Sequence, residues 1–169
     1  MRITRYPNLT GQQFLGCVAA FVDSFFGELN SALIALRRLE NQPKGAAFAH
    51  EMALDTHRYG ALIVLDRWAT LVDAFGPHLS LANRQDIVDD APGRVLTAEN
   101  ILGRVNDLID ASPVYTGELV GACLMAFRSL ETTFAEERQS AGQMARLGPM
   151  LADDYKEARR IFLEDLAAR

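Results

Sequence analysis

Between Thr10 and Glu40 the chain carries no proline, and Leu15, Val18, Val22, Phe25, Leu29, Ala32, Leu36 and Leu39 recur at alternating steps of three and four. That period of about 3.5 residues draws one continuous seam along an α-helix; a strand, whose side chains alternate every second residue, cannot hold it on one face. Thr10 is placed to cap such a helix. Phe14, Phe21 and Ala35 form a second row beside the seam, and Phe26 and Leu33 lie on its other flank, so the apolar arc is wider than one neighbouring helix covers. The first helix is therefore expected at the centre of a bundle or at an interface.

The same stepping returns from about Lys44 to Phe75, in Ala47, His50, Leu54, His57, Ala61, Val64, Trp68, Leu71 and Phe75, with Glu51, Asp55, Arg58, Asp66, Arg67 and Asp73 off the seam. Two helices of this length joined through Asn41-Gln42-Pro43-Lys44-Gly45 predict an antiparallel hairpin roughly 45 Å long. Proline and glycine punctuate the rest at Gly76-Pro77, Ala91-Pro92-Gly93, Ser112-Pro113 and Gly148-Pro149. A short helix is expected from Ser80 to about Asp89, another from Thr97 with Ile101, Leu102, Val105, Leu108 and Ile109 on one face, a long one from Thr116 to Leu147, and a last one from about Met150 to Ala168. No strand pattern, repeat or linker interrupts the series. The fold class is all-α: one domain, residues 1–169, an antiparallel helical bundle of three or four long helices plus one or two short ones, with crossing angles near 20°. Gly117 with Gly121, and the strip Gly16, Ala20, Ser24, Gly27, Ser31, mark close helix crossings.

The 169 residues are 49% apolar and carry a net charge of −5, enough to bury a core without a metal or disulfide. Fifteen of the seventeen basic residues are arginine, a skew that fits a GC-rich, bacterial coding sequence. They are dispersed or sit beside acids, as in Asp66-Arg67, so no basic stripe exists to meet phosphates and nucleic acid is excluded as a partner. Phe14-Leu15-Gly16-Cys17 looks like a lipoprotein cleavage site but lacks the apolar run before the cysteine. Asp23 and Glu28 interrupt the stretch that follows, short of the roughly 20 apolar residues a bilayer requires. A cytoplasmic protein without a membrane partner is expected. Cys17 and Cys123 sit in apolar periodic segments without CxxC spacing and read as buried free thiols.

The motifs that announce nucleotide, hydrolase and metal sites, among them GxxxxGK[ST], GxGxxG, GxSxG, HExxH and CxxC, do not occur. One constellation carries chemistry. His50 and His57 lie seven residues apart on the apolar face of helix two, beside Glu51 and opposite a first helix that bears Glu28. Bundle cores hold di-metal centres with carboxylates and histidines, though through Glu-x-x-His pairs that this chain lacks. Glu28 stands as far before the turn as His57 stands after it, so the two fall at one level of the hairpin and would form a single pair that fixes register. His50 and His57 otherwise read as half-buried seam residues. Glu136-Glu137-Arg138, and Arg159-Arg160 with Glu164 and Asp165, read as solvated faces.

Two functions follow. The first is a non-enzymatic protein–protein interaction module, an adaptor, chaperone or regulatory subunit, that meets another protein or itself as a homodimer through helix faces and carries no cofactor. The alternative is a bundle that holds iron, manganese or zinc, or an apolar small ligand, between helices one and two through Glu28, His50, Glu51 and His57, with an oxidoreductase-like site.

Overall fold

The first helix, α1 (Gly11–Leu39), is opened by a reciprocal cap: Thr10 Oγ1 accepts from the Gln13 amide at 3.2 Å, and Gln13 Oε1 accepts from the Thr10 amide at 2.9 Å. In the computed structural model, which describes residues 9–76, 85–148 and 152–168, five further helices follow: α2 (Phe48–Phe75), α3 (Gln85–Ala111), α4 (Gly117–Thr133), α5 (Ala135–Leu147) and α6 (Ala152–Ala167). The fold is an all-α helical bundle. Among the described residues the extended backbone is limited to one isolated bridge, Pro43 with Val114. His78, the Ser80 start of the expected short helix, and Met150 lie outside the described residues.

Helix α1 is the common wall of the bundle, packing on α2, α4, α5 and α6. Phe14 and every residue from Gly16 to Val22 are buried; beyond Phe25 one face turns to solvent. The arc too wide for one neighbour is thus covered by helices of its own chain. Among the described residues α1 is also the one helix long and apolar enough to cross a membrane by length and composition, and half of that window is buried inside the protein.

The α1–α2 hairpin is antiparallel, with Phe14 stacked on Phe75 (4.9 Å between ring centroids), Phe21 on Trp68 (4.6 Å, 9° between planes), and Glu28 against His57. Phe134 closes the cluster edge-on against Phe21 and Phe25 at 5.2 and 5.3 Å. Such pairs add about 0.5–1.5 kcal/mol each beyond the area they bury. Gly16 lets α6 cross closely, since a Cβ there would stand 3.0 Å from Ala158 Cβ and 3.1 Å from the Tyr155 carbonyl. A Cβ on Gly27 or Gly121 would meet nothing within 4 Å, so those two positions of the expected small-residue strips mark no crossing.

Helix boundaries depart most from the sequence pattern at Pro92 and at Phe134. Pro92 lies inside α3 and does not end it. It faces solvent, where water can serve the carbonyl it leaves without a donor, and Arg94 Nη2 donates to the neighbouring Ile87 carbonyl at 3.1 Å. Thr97 is accordingly not a cap; its hydroxyl donates to the Gly93 carbonyl one turn back. The segment Thr116–Leu147 is instead broken at Phe134, whose φ of −109° and ψ of 27° end α4 and start α5. Just before the break, Thr132 and Thr133 donate their hydroxyls to the Arg128 and Ser129 carbonyls, a back-bonding that bends helices. The bend delivers the Phe134 ring into the core.

At one end of the bundle the loops after α1 and α3 are tied together. The Asn41 amide donates to the Tyr115 carbonyl, the Tyr115 amide to the Gln42 carbonyl, and the Lys44 amide to the Pro113 carbonyl. Asn41 takes a φ of 63°, which its short amide side chain tolerates. Lys44 leaves helical geometry, so α2 starts later than its sequence pattern suggests. Its ammonium donates to the Ile109 and Asp110 carbonyls at the end of α3, a helix with no basic residue in its own last turn.

Trp68→Ala removes a fully buried indole stacked on both Phe14 and Phe21. Urea denaturation should show a loss of about 3–5 kcal/mol; a loss below about 1 kcal/mol would mean that this cluster is not the core of the fold.

Candidate functional site

Glu28 and His57 do meet. Nδ1–H of the imidazole donates to Glu28 Oε2 at 2.6 Å, with both side chains about one-third exposed. The backbone of α2 makes room for the carboxylate at Gly60, where a Cβ would come within 2.8 Å of Glu28 Cδ and Oε2. The sequence signal for this position is a lone glycine in the middle of a helical pattern.

The rest of the expected constellation does not join them. Glu51 Oε1 accepts from the Tyr115 hydroxyl at 3.0 Å and from the Gly45 amide at 2.9 Å, so it ties α2 to the loops at the bundle end. Burial first, then the neighbouring Glu51 carboxylate, push the Tyr115 phenol up to about 12. His50 lies half-buried two turns from His57, and among the described residues no three His, Cys, Asp or Glu side chains stand close enough to hold a metal. Glu28 and His57 face each other, Glu51 turns to Tyr115 and Gly45, and His50 stands apart, so the four do not converge on one point in this structure.

Charged groups expected on the surface are inside. Arg58, off the apolar seam, is buried and reaches Asp110 Oδ1 at 2.9 Å and Asp55 Oδ1 at 3.1 Å, while its Nε and Nη1 have no hydrogen-bond partner. Glu137, on the α5 face expected to be solvated, is 0% exposed. Its Oε1 lies 3.0 Å from Arg94 Nε without the alignment of a hydrogen bond. Burial pushes its carboxyl above the usual range, against the opposing pull of the Arg94 charge. Asp165 is likewise largely buried and pairs with Arg67 at 3.5 Å, tying α6 to α2, whereas Arg160 with Glu157 and Glu164 does form an exposed network. Helical period separates Glu137 from Glu136: Glu137 falls on the face of Phe134, Ala141 and Met144, whereas Glu136 lies on the outer side and reaches Arg94 from there, its Oε2 accepting from Nη1 at 3.2 Å. Cys17 and Cys123 are buried free thiols, pushed by burial to about 12 and about 11.

Two surface features stand out. Between α1, α4 and α5 runs a groove of about 270 Å³ lined by Phe26, Leu29, Leu33, Leu124 and Phe127. Its Arg138 is already engaged, 2.8 Å from Glu131 and stacked 4.4 Å from the Phe26 ring centroid. Along the outer face of α2, opposite the core, Phe48, Met52, Tyr59 and Ile63 are exposed to 70, 54, 50 and 37%. At 100° per residue these four fall within about 60° of one another, in a stripe roughly 22 Å long. Comparison with family profiles, curated proteins and solved structures finds no match to this chain.

A double-mutant cycle with Glu28→Gln and His57→Ala should return a coupling below about 1 kcal/mol, because both partners are partly hydrated; a coupling above about 2 kcal/mol would assign the pair a larger role than register. Glu137 binds its proton more readily folded than unfolded, so its contribution to stability declines as pH rises from about 4.5 through its raised folded pKa. Urea titrations at several pH values should show wild type losing stability relative to Glu137→Gln as pH rises; a pH-independent difference would overturn that assignment.

Proposed function

We propose that this chain is a non-enzymatic protein-interaction module, an adaptor, chaperone or regulatory subunit of the cytoplasm, that presents the outer face of α2 to another polypeptide. The observation that carries the reading is the exposed stripe of Phe48, Met52, Tyr59 and Ile63. Leaving a large apolar side chain in water forgoes about 1.5–3 kcal/mol relative to burying it. A single exposed apolar residue needs no explanation, but four in register on one helix form the contiguous patch by which soluble proteins meet partners. The polar groups that could do chemistry are committed to holding helices together: Glu28 with His57, Glu51 with Tyr115, Arg58 with Asp110.

A second reading, an apolar small ligand, moves from the α1–α2 interface, which is filled, to the groove between α1, α4 and α5. At about 270 Å³ that groove falls just short of the roughly 300–1,000 Å³ of ligand sites. The α2 stripe is the better supported of the two.

With a photo-crosslinking phenylalanine analogue in place of Tyr59, irradiation of the native host should give an adduct of one defined mass. The same analogue in place of Arg159, exposed on α6, should give none. Failure to obtain an adduct from positions 48, 52, 59 and 63 alike would remove the reading.

A further inference from the structure

The groove between α1, α4 and α5 has polar lips as well as an apolar floor. Gly117 comes against Glu40, and Phe134 against Phe21 and Phe25, so α4 runs antiparallel to the second half of α1. With those two points level, Leu33 stands opposite Leu124, Phe26 opposite Glu131, and Asn30 within about one residue of Arg128. Leu29 and Phe127 form the buried floor, and Phe26, Leu33 and Leu124 the half-buried walls. At one end Arg138 lies over Phe26 and holds Glu131 at 2.8 Å, so those two charges answer each other. Asn30 on α1 and Arg128 on α4 stand exposed on the two lips, and among the described residues neither side chain has a hydrogen-bond or ion-pair partner.

We propose that this groove binds a small amphipathic monocarboxylate, a free aliphatic acid of about eight carbons, with its hydrocarbon on the floor and its carboxylate at Arg128 and Asn30. The inference rests on the second reading above, to which it gives an occupant, and is independent of the α2 stripe.

Charge and size both select that occupant. Two arginines against one glutamate leave the lining net positive, on a chain whose net charge is −5. A guanidinium presents a planar fork of donors that matches a carboxylate, and the Asn30 amide adds a donor from the opposite helix. The hollow between α2 and α3 is lined by Asp66, Asp73 and Glu99 and by no basic residue, so an anion is drawn to the first groove and kept from the second. Seven residues of α1 separate Phe26 from Leu33, about 10 Å along the helix, which is the length of an extended chain of about eight carbons. A helical peptide, about 10 Å across with its side chains, is too broad for a space of about 270 Å³.

Isothermal titration of the full chain with octanoate should show one site with a Kd on the order of 100 µM. Hexanoate, shorter by two methylenes, should bind about tenfold more weakly. 1-Octanol, which has the chain without the charge, should also bind at least about tenfold more weakly than octanoate. Arg128→Gln should abolish that preference for the acid, and Arg159→Gln, at an exposed position on α6, should keep it, both with the helical spectrum of wild type. 1-Octanol bound as tightly as octanoate overturns the acid and leaves the apolar-ligand reading standing. A preference that persists in Arg128→Gln overturns the placing of the carboxylate in this groove. If neither compound binds at about 2 mM, well above the expected Kd, the acid and the apolar-ligand reading both fall.

Discussion

The stack of Phe21 on Trp68 is the contact on which the rest of the bundle depends. Trp68 is fully buried and lies against both Phe14 and Phe21, so it joins α2 to two points on α1 that lie two turns apart. Phe134 stands edge-on to the same Phe21 and to Phe25, which brings the α4–α5 junction to that point as well. Because α1 is shared by α2, α4, α5 and α6, disturbance of its aromatic rows reaches most of the molecule at once. Interiors are packed at crystal-like density, and a void of indole size has no way to close by small shifts.

Around that apolar centre the charged groups act as ties between helices. His57 and Glu28 set the α1–α2 register, Arg58 and Asp110 join α2 to α3, Arg94 and Glu137 join α3 to α5, and Arg67 and Asp165 join α2 to α6. Arg58, Arg94 and Glu137 leave polar atoms without aligned partners, so these ties are weak sources of stability and better understood as devices that restrict how the helices can be arranged. With its core satisfied internally and its polar groups committed to structure, the molecule's unspent binding capacity lies on its outer surface, chiefly on α2.

Much of the fold is legible in the sequence where the governing forces are local. The 3.5-residue seam, the Thr10 cap and the hairpin turn each depend on residues within about four positions of one another, and each is found as the pattern implies. The Glu28–His57 pair is legible too, because a hairpin with a short turn converts equal distances along the chain into contact in space. The break at Phe134 and the passage of α3 through Pro92 are not. The first needs two threonines to bend a helix with no proline or glycine between Gly121 and Gly142, and the second needs a solvent-facing proline and an arginine near the freed carbonyl.

What the sequence determines alone is therefore the all-α class, the first two helices with their amphipathic faces, and the register between them, since periodicity and capping are properties of neighbours along the chain. Tertiary structure alone decides which faces remain open. The wide arc of α1 calls for more than one neighbour, and α4, α5 and α6, which begin at Gly117 and beyond, supply them from far along the chain. Among the described residues, Ile34, Leu96, Leu108, Met125 and Leu147 are left exposed on other helices, while Phe48, Met52, Tyr59 and Ile63 of α2 lie off the seam and share one face. Tertiary contact also decides that Glu137 is fully enclosed: helical period places it on the face of Phe134 and Ala141, but only what packs over that face removes it from water.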